Sequence, residues 1–313
     1  MKKLIILIGL AIFLIGERVA IAQTSSCEIP LMIISSKQEE ALPRATMNQL
    51  ANKLTRIATT YGLAANNDYA QFVISPKFSV LEKSILPGPP RSFVYNFELT
   101  LFIGDYFGQK IFNTTSINIK GIGENENKAY INAIKQINPK SEDLQNFILD
   151  AKDKIIAYYN ANYPSIIKKA QSLASQKQFE ESMFLLMAIP DCSQGYDKAL
   201  EVAATVYQSY VDDQCNQYLA QAKMAWASQQ NSDGAEIAVG YLANIYPEAK
   251  CYGDAMDLYK EIKTKVKEDW NFVMKIYNDS IDLKKQQINA WKDVGVAYGK
   301  AQKSTSTQVY WGR

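Results

Sequence analysis

The sequence predicts an α+β N-terminal domain, ordered helix, three-stranded antiparallel sheet, helix, followed by an all-α helical-repeat domain. Phe93, Tyr95, Phe97, Leu99, Leu101 and Ile103 alternate with more polar neighbours, the period-two signature of a strand with one buried face. Apolar residues at helical spacing flank this region on both sides. From Ser141 to about Lys300 no strand-like run occurs, and the helical spacing returns.

The chain opens with Lys2 and Lys3, an apolar run from Leu4 to Gly16, and Ala20-Ile21-Ala22 before Gln23. Positive charge, short apolar core and small residues, in that order, make a secretory signal peptide, so residues 1–22 are expected to be removed on export. The run is short for a bilayer span, and Glu17-Arg18 cuts it off. Residues 23–42 are an N-terminal extension holding Cys27. Thr24 stands where a lipobox wants an aliphatic residue, which favours signal cleavage over lipidation of Cys27.

Within residues 43–140, Pro43 starts a helix in which Met47, Leu50, Leu54, Ile57 and Tyr61 recur on one face, and Gly62 closes it. Residues 69 to 83 form a first strand, broken by Leu86-Pro87-Gly88-Pro89-Pro90. The alternating strand turns through Gly104 to Gly108 into a third at 111–119, an antiparallel hairpin. Beyond Gly121-Ile122-Gly123 a helix places Ala129, Tyr130, Ala133, Ile134 and Ile137 together, and Pro139 ends it.

Tyr95-Asn96-Phe97-Glu98-Leu99-Thr100-Leu101 leads to a Gly turn, a Ser/Thr-rich strand and a G-x-G junction at Gly121 and Gly123. Glu124, Glu126 and a helix bearing Ala129 and Ala133 complete the succession. It resembles the small α+β domain shared by LPP20-type lipoproteins, the N-terminal part of flagellar assembly protein T, and curli-secretion and TolB-N-like envelope proteins. The resemblance implies a non-catalytic cell-envelope assembly module.

Residues 141–302 give helices over 141–160, 164–175, 178–188, 196–229, 233–245 and 252–292, with 303–313 a polar tail. Ala174-Ser175-Gln176 recurs as Ala227-Ser228-Gln229, and Ile189-Pro190 as Ile245-Tyr246-Pro247. Cys192, Tyr196 and Ala199 recur as Cys251, Tyr252 and Ala255. These offsets exceed the roughly 34 residues of a tetratricopeptide unit, so the region is TPR-like in plan without that consensus. Helix pairs of this kind bury their apolar faces on neighbours and present an extended surface to partners.

The 313 residues include 34 Lys+Arg, 32 Asp+Glu, four Cys and no His. Without imidazole, Ser-His-Asp and Cys-His catalysis, His-ligated zinc and His general bases are closed. Loss of Lys2, Lys3, Arg18 and Glu17 with the signal takes 34 and 32 to 31 and 31, leaving no basic excess for nucleic acid. Glu126 replaces the third Gly of a dinucleotide fingerprint, and Glu124 and Glu126 would repel a pyrophosphate. Gly121-Ile122-Gly123 is therefore expected to be a turn, and no cofactor is expected. Neighbouring carboxylates at Asp212-Asp213 and Glu180-Glu181 diverge on a helix by about a hundred degrees, which makes them solvated faces rather than acid/base pairs. No catalytic set and no metal ligands emerge.

Four Cys without a CxxC in an exported chain point to disulfides, with three connectivities possible; among Cys192, Cys215 and Cys251, a bond from Cys215 to either of the other two would staple neighbouring helices. Tyr259, Ile262, Val266, Trp270, Val273, Tyr277 and Ile281 form a stripe along one long helix. Tyr259, Trp270 and Tyr277, with Trp291, are the candidate partner-binding residues. The expected function is an exported, non-enzymatic scaffold for envelope proteins, at the periplasm or outer-membrane periphery and not integral to the membrane after cleavage. The alternative is a small-molecule or glycan binder whose pocket lies between the two domains, with Trp226, Trp270 and Tyr277 around it.

Overall fold

The computed structural model describes residues 27, 29–34, 42–63, 70–266 and 283–305. The expected signal segment 1–22, Trp270 and Tyr277 lie outside the described residues. A short β1 (Leu31–Ile33) precedes α1 (Arg44–Thr60), and β2 (Phe72–Leu86), β3 (Ser92–Asp105) and β4 (Lys110–Gly123) follow. The helices α2 (Glu126–Lys135), α3 (Glu142–Ser175), α4 (Phe179–Met187), α5 (Tyr196–Ser228), α6 (Ser232–Leu242), α7 (Tyr252–Val266) and α8 (Leu283–Thr305) complete the order.

The sheet is four-stranded and mixed, in the order β1-β2-β3-β4. β1 runs parallel to the start of β2, while β2–β3 and β3–β4 are antiparallel. The three-stranded antiparallel expectation is corrected by β1, whose three residues are too few to display a period. Proline at the start and glycine at the end bound α1: Pro43 precedes it, and Gly62 takes a φ of +70°. One sheet face carries Phe78, Tyr95 and Phe97, which gather around Tyr130 of α2 with ring centroids 4.7–6.0 Å apart. The opposite face is wetter over its middle, where Thr100 and Ser116 hydrogen-bond across β3 and β4 at 2.9 Å.

The expected break near residues 161–163 does not occur, and α3 runs unbroken through Pro164. A proline inside a helix removes one N–H and frees the carbonyl four residues earlier. Nearby, the Asn162 side chain donates to the Tyr158 carbonyl at 2.7 Å and the Ser165 hydroxyl to the Asn162 carbonyl at 2.8 Å. The expected 252–292 helix is described in two pieces, α7 ending at Val266 and α8 starting at Leu283, and α8 continues to Thr305 into the expected tail. A buried apolar cluster extends without interruption from the sheet through α2 and α3 to α7 and Trp291 of α8. Among the described residues, no helix is long and apolar enough to cross a membrane.

The repeat is visible in backbone hydrogen bonds. After α4, the amides of Ile189, Ser193, Tyr196 and Ala199 donate to Leu186, Pro190, Ser193 and Gly195. After α6, the amides of Ile245, Ala249, Tyr252 and Ala255 donate to Leu242, Tyr246, Ala249 and Cys251, each 56 residues on. This register aligns Cys251 with Gly195, and Cys192 with Glu248. The sequence equivalence of Cys192 with Cys251 is therefore corrected by three positions, because the backbone turn, not the cysteine, is what repeats.

Candidate functional site

β3 ends at Asp105, and residues 106–109 turn the chain into β4, with Gln109 at φ +48°. Asp105 is buried, and its Oδ1 accepts the Phe107 amide at 2.9 Å, the Gly108 amide at 2.8 Å and the Gln71 side chain at 2.7 Å. Its Oδ2 accepts the Tyr159 hydroxyl at 3.4 Å. A Cβ on Gly108 would stand 2.7 Å from Oδ2, so glycine lets the carboxylate lie inside its own turn.

This turn forms one wall of a cleft of about 570 Å3, whose other walls come from α3, α4 and α8. Tyr106, Phe107, Tyr158, Tyr159, Phe184 and Tyr298 supply its aromatic surface, and Gln109, Lys169, Glu181 and Gln302 its polar groups. Phe107 meets Phe184 edge-on at 4.6 Å, and Phe184 meets Tyr298 at 5.6 Å. At Gly295, a Cβ would lie 3.4 Å from the Phe184 backbone, an ordinary contact, so α8 packs directly against α4 there. Lys110 holds its ammonium 4.0 Å above the Tyr158 ring, a cation–π contact at the mouth. Burial, and next the negative charge of Glu181, push the Tyr298 phenol above its usual range. A second cavity of about 500 Å3 adjoins the first, sharing Gln71 and Ala188, with Tyr196, Trp291 and Lys292 on its far side.

Of the expected partner-binding residues, Tyr259 and Trp291 fall within the described residues and Trp270 and Tyr277 outside them. Trp291 is 1% exposed and packs in the core, with one edge on the second cavity. Tyr259 is half-buried beside a gap of about 10 Å3, too small for a ligand. Trp226 is buried and donates from Nε1 to Glu261 at 3.0 Å, which ties α5 to α7. The cleft's aromatic residues went unread because they come as doublets, Tyr106-Phe107 in a turn and Tyr158-Tyr159 on a helix, rather than as a stripe.

Cys215 is bonded to Cys251, with Cα atoms 6.0 Å apart, and Cys192 to Cys27, with Cα atoms 5.2 Å apart. Asp191 lies beside the second pair, but two sulfurs joined to each other leave only its carboxylate as a ligand. The same bond engages the sulfur that lipidation of Cys27 would need.

Gly121 and Gly123 lie within β4, not in a turn, and α2 occupies the space a side chain would need: Cβ positions would fall 2.0 Å from the Ala129 carbonyl oxygen and 2.4 Å from its nitrogen. Asn125 caps α2 by accepting the Lys128 amide at 2.9 Å, Glu124 pairs with Lys128, and Glu126 pairs with Lys83. The hydrogen bond with Glu126 leads the causes that raise the Lys83 ammonium far above its usual range. Asp212-Asp213 are also corrected from a solvated pair to two tethers. Asp212 takes the Lys250 amide at 2.9 Å and its ammonium at 2.8 Å, and Asp213 pairs with Lys177 across to the turn after α3.

No family model matches the chain, and no curated protein does. Among solved structures, a minor lipoprotein from Acinetobacter baumannii matches at 15% identity over 40% of this chain and 87% of that one, with a TM-score of 0.21. Superposition at that level establishes neither a shared fold nor a shared function.

Proposed function

We propose that the chain is an exported, non-catalytic binding protein of the cell envelope that holds a segment of a partner protein in the aromatic cleft. The cleft itself carries this proposal: six aromatic residues line it together with a buried Asp105 whose carboxylate already accepts four hydrogen bonds. A carboxylate engaged in this way holds a turn in shape, and what the cleft offers a partner is ring faces and rim charges. Two disulfides support export to an oxidising compartment.

Small-molecule or glycan binding is the second reading, favoured by volume. Cavities of about 570 and 500 Å3 fall within the roughly 300–1,000 Å3 of small-molecule sites. A photocrosslinker placed at Gln109 or Gln302, on the cleft, separates the two in native envelopes, with exposed Met224 as the remote control. A protein adduct from the cleft positions alone supports the partner proposal, and a glycan or small-molecule adduct supports the second. Equal labelling from all three positions refutes both.

A further inference from the structure

The far end of the sheet differs from the cleft end. From Leu81 to Arg91 every residue is exposed, although the chain stays hydrogen-bonded in β2 up to Leu86 and resumes β3 at Ser92. Large apolar side chains lie bare here: Leu81, Ile85 and Leu86 at 58%, 51% and 52% exposure, with Ile122 of β4 beside them at 48%. They occupy both faces of the sheet. Ile85 pairs with Phe93 on the side that carries α2, whereas Val94 is flanked by Ser84 and Ile122 on the opposite side, which Leu86 shares.

Ser84 to Pro90 contains no charged residue. Glu82 and Lys83 stop short of it, with Glu82 accepting from Asn96 at 2.6 Å and Lys83 paired to Glu126. The connection itself, Pro87-Gly88-Pro89-Pro90-Arg91, has three prolines and so only two backbone N–H groups. Water is the usual partner of loop amides, and hydrocarbon supplies none, so a loop poor in N–H groups enters an apolar medium at less cost. A protein groove would ask for apolar residues on one face. Apolar residues on both faces and around an uncharged tip suit end-on immersion.

We propose that the β2–β3 hairpin tip inserts into the interfacial region of a lipid bilayer, with Ile85, Leu86 and Pro87 leading and Arg91 left at the headgroup level. The tip lies about 40 Å from the cleft, at roughly 3.3 Å per residue along β3, so it is independent of the binding proposed there.

The test is flotation of the full mature chain, disulfides intact, with phosphatidylcholine vesicles with and without phosphatidylglycerol. The native chain is expected to float with vesicles of either kind. Ile85→Ser/Leu86→Ser should lower bound protein on the order of tenfold or more, and Leu149→Ser, an equally exposed control, should not. A Leu86→Trp variant keeps the tip apolar and reports independently, because its added emission should shift to the blue and be quenched by brominated lipid. Native protein that stays at the bottom, serine variants that float as well as native, or added emission from the Leu86→Trp variant that brominated lipid leaves unquenched would each overturn the proposal. So would a serine pair that changes only self-association, since that outcome assigns the tip to a second copy of the chain.

Discussion

Replacing Gly121 by Ala tests why glycine stands at the end of β4. The backbone there is within reach of any residue, so conformational strain is not at issue. A Cβ would stand 2.0 Å from the Ala129 carbonyl oxygen, 2.8 Å from its carbon and 3.0 Å from Ala133 Cβ. Normal contact needs about 3.5 Å, so α2 must lift by roughly 1.5 Å. The obstacle is helix backbone, which cannot swing aside as a side-chain end could. Lifting α2 loosens Ala129, Ala133 and Ile134, all at 0% exposure, from the sheet. Overpacking of this kind costs about 1–3 kcal/mol, and a backbone clash belongs at the top of that range. Gly240→Ala is the counterpart: it lies in α6 with nothing within 4 Å of its added Cβ, so helix propensity alone should stabilise by up to about 1 kcal/mol. Urea unfolding followed by far-UV circular dichroism, disulfides intact, should move the two midpoints in opposite directions. If Gly121→Ala leaves the midpoint unchanged, strand–helix contact is not the reason for the glycine, and a phosphate-binding role for Gly121-Ile122-Gly123 reopens.

Removing the Cys215–Cys251 bond as Cys215→Ala/Cys251→Ala should lower stability by about 4 kcal/mol in the chain-entropy account of a 36-residue separation, and reductant should then have no further effect through that pair. Asp212 gives a pH signature. Burial raises its pKa, but hydrogen bonds from the Lys250 side chain and amide and from Gln208 outweigh it and hold the carboxyl below its ordinary 3.8. A pKa lowered by folding gives stability that is full above the unfolded value and lost as pH falls through the folded one. The urea-midpoint advantage of the native chain over Asp212→Asn should therefore stay level from about pH 7 to about pH 5 and close below about pH 4. Asp105→Ala should cost about 1–3 kcal/mol, because the turn amides of Phe107 and Gly108 and the Gln71 side chain lose their acceptor, and should abolish crosslinking from Gln109.

Local periodicity made much of the fold legible. The alternation from Phe93 to Ile103 gave β3, Pro43 and Gly62 gave the limits of α1, and Gln178, Gly195 and Asn231 stand at helix starts close to those expected. Features resting on pairing between distant segments were not legible. β1 exists because Leu31 to Ile33 find the start of β2, and α3 runs unbroken through Pro164, where the local signal alone predicts a break. The cleft was illegible for the same reason: Asp105, Tyr158, Phe184 and Tyr298 come from four separate elements that only folding brings together. Helical spacing marks a buried face as readily as a binding one, and of the aromatic stripe the described residues hold only Tyr259, Ile262 and Val266, with Ile262 buried and the other two half-buried.

The two copies of the helical repeat close one junction by different chemistry. In the first, the Asn160 side chain of α3 accepts the Gln194 amide at 2.8 Å, and in the second the Asp212 side chain of α5 accepts the Lys250 amide at 2.9 Å. Three residues beyond those acceptors stand Tyr163 and Cys215, and one residue beyond those donors stand Gly195 and Cys251. Cys215 and Cys251 are bonded, whereas the Tyr163 ring lies where a Gly195 side chain would begin, 2.2 Å from the Cβ position. The second copy thus holds its turn to its long helix covalently, and the first holds it by a ring laid on a glycine. Gly195→Ala should accordingly cost about 1–3 kcal/mol, because the ring must leave. In a Tyr163→Ala background the same change should cost much less, a coupling that a double-mutant cycle in urea measures directly. An equal cost in both backgrounds would show that the ring does not close the first junction, and the correspondence with the disulfide would fall with it.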